Sequence, residues 1–341
     1  MRLNGRTVLV TGGAGFIGSH LVDRLLASEV GAVRVLDNMV NGSYDNLADH
    51  SADDRLTVVQ ADLRDETARD RSMVGCELVF HLACLGVRHS LHDPFENHRV
   101  NAEGTLLLLE SARRAGVGRF VYVSSSEVFG SAQYAPMDER HPTWPETVYG
   151  GSKLAGEAYT RAYHRTHGMD TVVVRPFNTY GPRSHYEGDS GEVIPRTAVR
   201  VLAGERPIIY GDGEQTRDLM FVTDTATALN LVGTCGGVEG ATINLGSGRE
   251  VSVAQMCTAI AAAAGQPSLT PVHLEPRPGD VRRLLGDPTL MRGLTGFEAK
   301  VPFDEGVASL VEWLRGRPEA PAELLLRVAE RNWFPSVPGS A

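Results

Sequence analysis

Apolar and polar positions along the chain follow two alternating rhythms. Short runs of aliphatic and β-branched residues are each closed by a glycine, an aspartate or a serine. Arg6 to Val10 ends at a glycine cluster, Val33 to Leu36 at Asp37, and Leu56 to Val59 near Asp62. Leu78 to Leu82, Phe120 to Ser124 and Thr171 to Val174 repeat the form. Between these runs the apolar spacing turns helical. Phe16 to Ala27 sets Phe16, Ile17, Leu21, Val22, Leu25 and Leu26 at helical spacing, and Val100 to Ala115 and Tyr149 to His164 read as further helices. Leu106 to Leu109 fits core and helix–helix packing. Near-continuous apolar strands alternating with helices predict an α/β fold: a doubly wound parallel Rossmann sheet, covered on both faces.

The rhythm changes after about Asn178. Segments shorten, and glycine and proline punctuate them, as in GPRSHYEGDSGE, YGDGEQTRD and NLGSGRE. This predicts a first domain over 1–180, a second, smaller α/β lobe over 181–325, and a loosely held C-terminal tail over 326–341.

Composition narrows the class. A hydrophobic share of 42% and a charged share of 22% over 341 residues fit a folded globular chain and exclude disorder over most of it. No apolar run reaches the ~18 residues of a membrane span. Lys+Arg is 33 against Asp+Glu 42, a net charge of −9, which argues against a nucleic-acid partner. Cys76, Cys84, Cys235 and Cys257 are scattered, with no CxxC pair, and read as reduced thiols. The opening MRLNGRTVLVTGG has no apolar signal-peptide core, so the expected location is cytoplasmic.

Two local patterns carry chemistry. TGGAGFIG, residues 11–18, lies between the first strand and the first helix. Gly12, Gly15 and Gly18 serve a tight turn, close approach to a pyrophosphate, and helix–strand packing, with Phe16 and Ile17 opening the helix. Asp37 ends the second strand 19 residues beyond Gly18, followed by Asn38, where a carboxylate accepts from adenosine ribose hydroxyls. It repels a 2′-phosphate and so favours NAD over NADP. Asp62 and Leu63, after the third strand, are placed to bracket the adenine. The second pattern is Tyr149-Gly150-Gly151-Ser152-Lys153, which puts a phenol and an ammonium at i and i+4 on one helix face. A phenol with a pKa near 10 becomes a usable acid/base beside such a cation. The strand before it delivers Ser124, Ser125, Ser126 and Glu127 at its carboxyl end, where open α/β sheets bind ligands.

With these residues in place, the chain resembles the nucleotide-sugar epimerase/dehydratase family of extended short-chain dehydrogenases/reductases, from about Gly5 to Leu314. The matching stretches are TGGAGFIG, LDN, ADL, HLA, GVRHS, VNAEGT, VSSSEVFG, YGGSK, RPFNTYGP, YGDGEQTRD and RPGD. The resemblance implies NAD as cofactor in the first domain and a nucleotide-diphosphate sugar in the second lobe. It implies Tyr149 and Lys153 as the catalytic pair and Ser125 as their hydroxyl partner, with Ser126 and Glu127 beside them. Leu82 and Ala83 of HLA join the cofactor residues. So does Asn101, which matches the asparagine supporting the active-site helix. Arg88, Asn178 and Val193 fall near the substrate. Arg217 and Arg277 match the diphosphate-clamping arginines, and Asp280 a nucleoside-ribose contact. A homodimer through the helices around 100–115 and 149–166 is also implied.

The family oxidises the sugar at C4 and then diverges. An epimerase returns the hydride to the other face, a 4,6-dehydratase loses water, and a glucuronate decarboxylase loses CO2. Glu127 resembles the glutamate of dehydratases and decarboxylases. Ser126 stands where one dehydratase group carries an aspartate, and Leu284 stands where decarboxylases carry an arginine. Epimerisation is the reading taken, with dehydratase or decarboxylase as the alternative. A non-catalytic dinucleotide-binding protein is the reading from another class, although such proteins typically lose the tyrosine or the lysine. Arg88, His89, His92 and His98 cluster without any metal-binding spacing, so no metal is expected.

Overall fold

The computed structural model describes residues 2–276 and 281–329. Its central sheet has seven parallel strands: β1 (Thr7–Thr11), β2 (Ala32–Asp37), β3 (Leu56–Gln60), β4 (Leu78–His81), β5 (Arg119–Val123), β6 (Thr171–Pro176) and, from later in the chain, β10 (Thr242–Leu245). The spatial order is β3-β2-β1-β4-β5-β6-β10. Val10 stands opposite Val35 on one side and Phe80 on the other. Chain direction across the sheet reverses between β1 and β4, and this opens a crevice at the carboxyl edge.

The strands are apolar without interruption because both faces are buried. Val8 and Val10 point into one layer with Leu21 and Leu25 of α1 (Phe16–Leu26) and Leu229 of α8 (Val222–Thr234). Leu9 points into the other, with Leu108 and Leu109 of α5 (Gly104–Ala115). On that side lie α2 (Glu66–Met73), α5 and α6 (Val148–His167). The sequence-predicted strands and helices of this sheet are all present, with ends displaced by a few residues. One helix differs in kind. The segment expected from Val100 begins earlier: α3 (Val87–His92), then α4 (Pro94–His98), a π-turn over Arg99–Glu103, and α5.

The second lobe is built from β7 (Asn178–Tyr180), α7 (Val193–Leu202), β8 (Ile208–Tyr210), β9 (Thr216–Phe221), β11 (Glu250–Ser252), α9 (Val253–Ala263), β12 (Val272–Leu274), β13 (Arg283–Leu284), α11 (Phe303–Arg315) and α12 (Pro321–Leu325). Tyr180, Ile194, Ile260 and Leu310 share its separate core. The boundary at residue 180 is not a clean cut. The chain returns to the large sheet for α8 and β10, and Met291 of α10 (Thr289–Thr295) packs in the first core. Pairing of β10 with β6 covers what would otherwise be an open sheet edge, which local sequence pattern does not reveal. The start of the expected tail is docked: Val328 packs against the second core, and the Arg327 carbonyl accepts from Gly188 N at 2.9 Å. Residues 330–341 lie outside the described residues. Among the described residues no helix is long and apolar enough to cross a membrane. No group of three metal-ligating side chains occurs among them.

Candidate active site

Two glycines of the loop, Gly12 and Gly18, have no room for a side chain. Gly12 has φ +71°, and a Cβ there would sit 2.7 Å from Ala83 N. A Cβ on Gly18 would lie 2.1 Å from the Gly12 carbonyl oxygen. Gly15 caps α1 without a side-chain acceptor, so the first amides of that helix face the crevice as donors. Phe16 is buried and Ile17 half-buried in the same turn. This cradle of backbone donors fits a dinucleotide diphosphate. Asp37 is buried at the end of β2, and its carboxylate also ties the loop. Oδ2 accepts from Ala14 N at 3.0 Å and Oδ1 from Met39 N at 2.9 Å.

Around the crevice the other cofactor candidates divide. Leu82 and Ala83 follow β4, and Ala83 N donates to Thr11 Oγ1 at 3.3 Å. The Asp62 carboxylate takes both arms of Arg64 at 2.8 and 2.7 Å, and Asn38 adds a smaller pull in the same direction. Those bonds hold the Asp62 carboxyl below its usual range, the guanidinium first among them, and commit it to protein partners. Leu63 is buried against Gly104 and serves the core. Asn101 also differs from a cofactor contact. It is buried, and its amide bonds Leu85 N (2.8 Å), Leu85 O (2.9 Å), Asn97 Oδ1 (3.1 Å) and Ser152 Oγ (3.2 Å). It tethers α6 to the segment after β4, the supporting place.

Tyr149 and Lys153 share the crevice-facing turn of α6. The helix starts at Thr147, whose Oγ1 accepts from Gly150 N at 3.0 Å. A Cβ on Gly150 would strike the Glu127 carbonyl at 2.5 Å, so glycine lets the 125–128 turn lie against the helix. Lys153 is buried, its Nζ donates to Val123 O at 2.8 Å, and it sits 5.9 Å from the Tyr149 ring centre. Ser125 lies near enough to the Tyr149 hydroxyl to act on its ionisation. Burial pushes the phenol well above its ordinary value, Cys84 and Glu127 add to this, and Ser125 opposes it. Ser126 is buried in the turn. Glu127 N donates to Ser125 Oγ at 3.2 Å, while burial raises the Glu127 carboxyl against the pull of Arg217 and Arg88.

The substrate-side candidates surround this centre. Arg88 is half-buried on α3, Asn178 is exposed at the start of β7, and Val193 is exposed at the start of α7. Arg217 on β9 donates through Nη1 to Thr216 O and Val281 O, both at 2.8 Å. Arg277 and Asp280 lie outside the described residues. One group escaped the sequence reading. Glu157 lies buried one turn beyond Lys153, accepting from Ser124 Oγ at 2.7 Å and from Arg175 at 2.8 and 2.7 Å. The Glu157 signal, an acid at i+4 from the lysine on the same helix face, was readable.

Comparison with known proteins places this geometry in a family. The profile described as GDP-mannose 4,6 dehydratase matches residues 9–310. A UDP-glucose 4-epimerase of Mycolicibacterium smegmatis is 39% identical over 318 residues, covering 91% of this chain and 98% of the relative. The fold superposes on a UDP-N-acetylglucosamine 4-epimerase from Methanobrevibacter ruminantium M1, solved in complex with UDP-N-acetylmuramic acid. There the TM-score is 0.87 at 30% identity, covering 92% of this chain and 99% of that one. It also superposes on DesIV, a dTDP-glucose 4,6-dehydratase from Streptomyces venezuelae solved with NAD and TYD bound. There the TM-score is 0.84 at 34% identity, covering 91% of this chain and 97% of that one. By these matches, and by a glycine cradle, Tyr149, Lys153 and Ser125 set at one carboxyl edge, the chain belongs to the GDP-mannose 4,6-dehydratase family of extended short-chain dehydrogenases/reductases.

Proposed function

We propose that the protein is an NAD-dependent nucleotide-diphosphate-sugar 4-epimerase working through a transient 4-keto sugar. The observation that carries the reading is the Tyr149–Ser125–Lys153 constellation at the carboxyl end of β5, beside a cradle that admits a diphosphate. The relative at 39% identity, named a UDP-glucose 4-epimerase, supports the outcome at C4. Bound NAD supplies the hydride acceptor and a positive charge. Tyr149 takes the proton of the sugar C4 hydroxyl and gives it back, and Ser125 orients that oxygen by hydrogen bonding. Lys153, fixed by Val123 O, keeps a cation by the phenol and offsets the desolvation that would hold it neutral. Arg217 is assigned to the nucleotide-sugar diphosphate and Asp37 to the adenosine ribose. Arg277 and Asp280 keep the roles expected of them from sequence. Leu91, Phe95 and Leu106 are exposed on α3, α4 and α5, the last of which belongs to the helices expected to form a homodimer, and this supports that assembly.

Glu127 supports a second reading. A half-buried carboxyl beside Tyr149, with its pKa raised, is suited to removing the C5 proton once C4 is a ketone, the step a 4,6-dehydratase needs. One experiment separates the two. The enzyme is incubated with UDP-, dTDP-, GDP- and CDP-hexoses in deuterated solvent, and products are resolved by mass and stereochemistry. Unchanged mass with inversion at C4, no deuterium at C5, and Glu127→Gln within about tenfold of wild type in kcat are expected. Loss of water, with deuterium entering C5 and both abolished in Glu127→Gln, overturns the epimerase assignment.

A further inference from the structure

His81 closes β4 directly before Leu82 and Ala83, and it is buried. Its ring lies between two buried threonine hydroxyls. Nδ1 is 2.8 Å from Thr11 Oγ1, at the end of β1, and Nε2 is 3.0 Å from Thr105 Oγ1, in the first turn of α5. Burial, aided by the charge on Lys153, pushes the imidazole down to about 3, so the ring is neutral and carries one N–H and one bare nitrogen. The neighbours decide which is which. The Thr105 hydroxyl donates to Asn101 O at 2.5 Å, so its oxygen is left to accept from His81 Nε2–H. Nδ1 is then bare and accepts from the Thr11 hydroxyl. Thr11 Oγ1 in turn accepts from Ala83 N at 3.3 Å.

A single directional chain thus runs from Ala83 N–H through Thr11, and a second runs from His81 through Thr105 to Asn101 O, with the imidazole joining them. Both ends serve the site. Leu82 N donates to Thr11 O at 3.1 Å, and Ala83 N lies where a Cβ on Gly12 would approach to 2.7 Å, so one end fixes the wall of the glycine cradle. The other end is Asn101 of the π-turn, which tethers α6 through Ser152.

We infer that His81 is a positioning residue that couples the tether of the catalytic helix to the cofactor cradle, so that a change on the Thr105 side is felt in NAD affinity. The inference rests on the cradle being the NAD site and goes beyond it, whichever product forms at C4. A neutral imidazole between two hydroxyls cannot donate on both sides. Loss of the acceptor at Thr105 removes what holds the proton on Nε2. Once the proton moves to Nδ1, the Thr11 oxygen must accept where its hydroxyl donated, and its own proton loses the acceptor it had. The Ala83 amide then shares that oxygen with a second donor. Buried hydrogen bonds linked in this way do not act independently.

The test is a double-mutant cycle read as NAD affinity by titration calorimetry. Thr11→Val and Thr105→Val each remove one hydroxyl at nearly constant shape, and the Thr→Ser variants restore it. Thr11→Val is expected to weaken NAD about tenfold and Thr105→Val about threefold, with the serine variants within about twofold of wild type. In the Thr11→Val background, Thr105→Val is expected to add less than about twofold, because the chain is already cut. Wild-type NAD affinity in Thr105→Val overturns the inference. Losses that multiply in the double variant mark two independent structural bonds and also overturn it. Long-range 15N–1H spectra of histidine-labelled protein read the direction of the chain. The His81 signal, identified by its change in Thr105→Val, is expected to be the Nε2–H tautomer, and an Nδ1–H tautomer in wild type overturns the inference. Thr105→Val and this spectrum decide the matter even where Thr11→Val does not fold. A wild type without affinity for NAD overturns the cofactor reading together with the inference, whereas each of the other failures leaves the cofactor reading standing.

Discussion

At the scale of single residues, the phenol of Tyr149 is the group whose protonation decides the rate. Burial favours its neutral form, so deprotonation needs a cation, and Lys153 is the one the fold fixes nearby. The sign follows. The phenolate is the base, so turnover rises with pH as the phenol ionises, and removing the ammonium moves that rise to higher pH. Lys153→Met is expected to shift the ascending limb of the kcat–pH profile upward by about one unit or more, a loss of about tenfold per unit at neutral pH. A limb that stays in place, with only KM changed, would limit the lysine to a part in binding. The residues behind this argument were legible because their chemistry is local. Glycines 12, 15 and 18 mark one turn, and Tyr149 and Lys153 one helix face. The pull of Arg217 on Glu127 was not legible. Arg217 lies 90 positions later in the chain, and only the fold brings it within reach of that carboxyl.

At the scale of elements, α6 carries the catalytic pair and is fixed to the sheet by polar contacts in a buried layer. Glu157 accepts two bonds from Arg175 of β6 and one from Ser124, and Arg161 adds a fourth at 2.9 Å. Those partners pull the carboxyl below its ordinary range although burial pushes the other way. Deleting one member of such a pair strands the other charge in the interior. Glu157→Ala is expected to cost about 3–5 kcal/mol of stability in urea unfolding. Replacing Glu157 and Arg175 together by Met should recover much of that loss, because no charge is then left uncompensated. Equal losses for the single and double variants would show that packing, rather than the ion pair, holds the helix. The elements themselves were mostly readable, since the continuous apolar runs reflect a sheet buried on both faces. The return of β10 to the edge of β6 was not, because strand pairing across some 66 residues leaves no mark in either strand's own pattern.

At the scale of the whole molecule, the two cores are separate, but the chain passes between them more than once. Arg183, from the second lobe, pairs with Asp23 of α1 at 2.8 Å, and His20 of α1 bonds Pro182 O at 3.0 Å. These cross-lobe contacts bind the loop after β7 to the first lobe. The outer surface offers a different partner. Phe95 is 75% exposed, with Leu91 and Leu106 on neighbouring elements. An apolar group of this kind on consecutive helices fits a second copy of the chain. Phe95→Glu is expected to convert a dimer to a monomer in light scattering coupled to size exclusion, with the fold intact by circular dichroism. A monomeric wild type, or a variant that stays dimeric, removes this surface as the contact.

The π-turn at Arg99–Glu103 bears on how this chain can have changed over time. Such a turn holds one residue more than regular winding accommodates, and within it Asn101 faces Leu85 and Ser152 at once. Deleting one residue within it would let regular winding resume and draw Asn101 out of the bulge that now displays it. Asn101 could not then keep both partners, and α6 would lose its tether. Substitution is tolerated at the outward positions, where Arg99 and Glu103 meet solvent. A change of length is not, unless an insertion in the same turn repairs it. Descendants of this chain are therefore free to vary Arg99 and Glu103, while Asn101 and the residue count of the segment stay frozen.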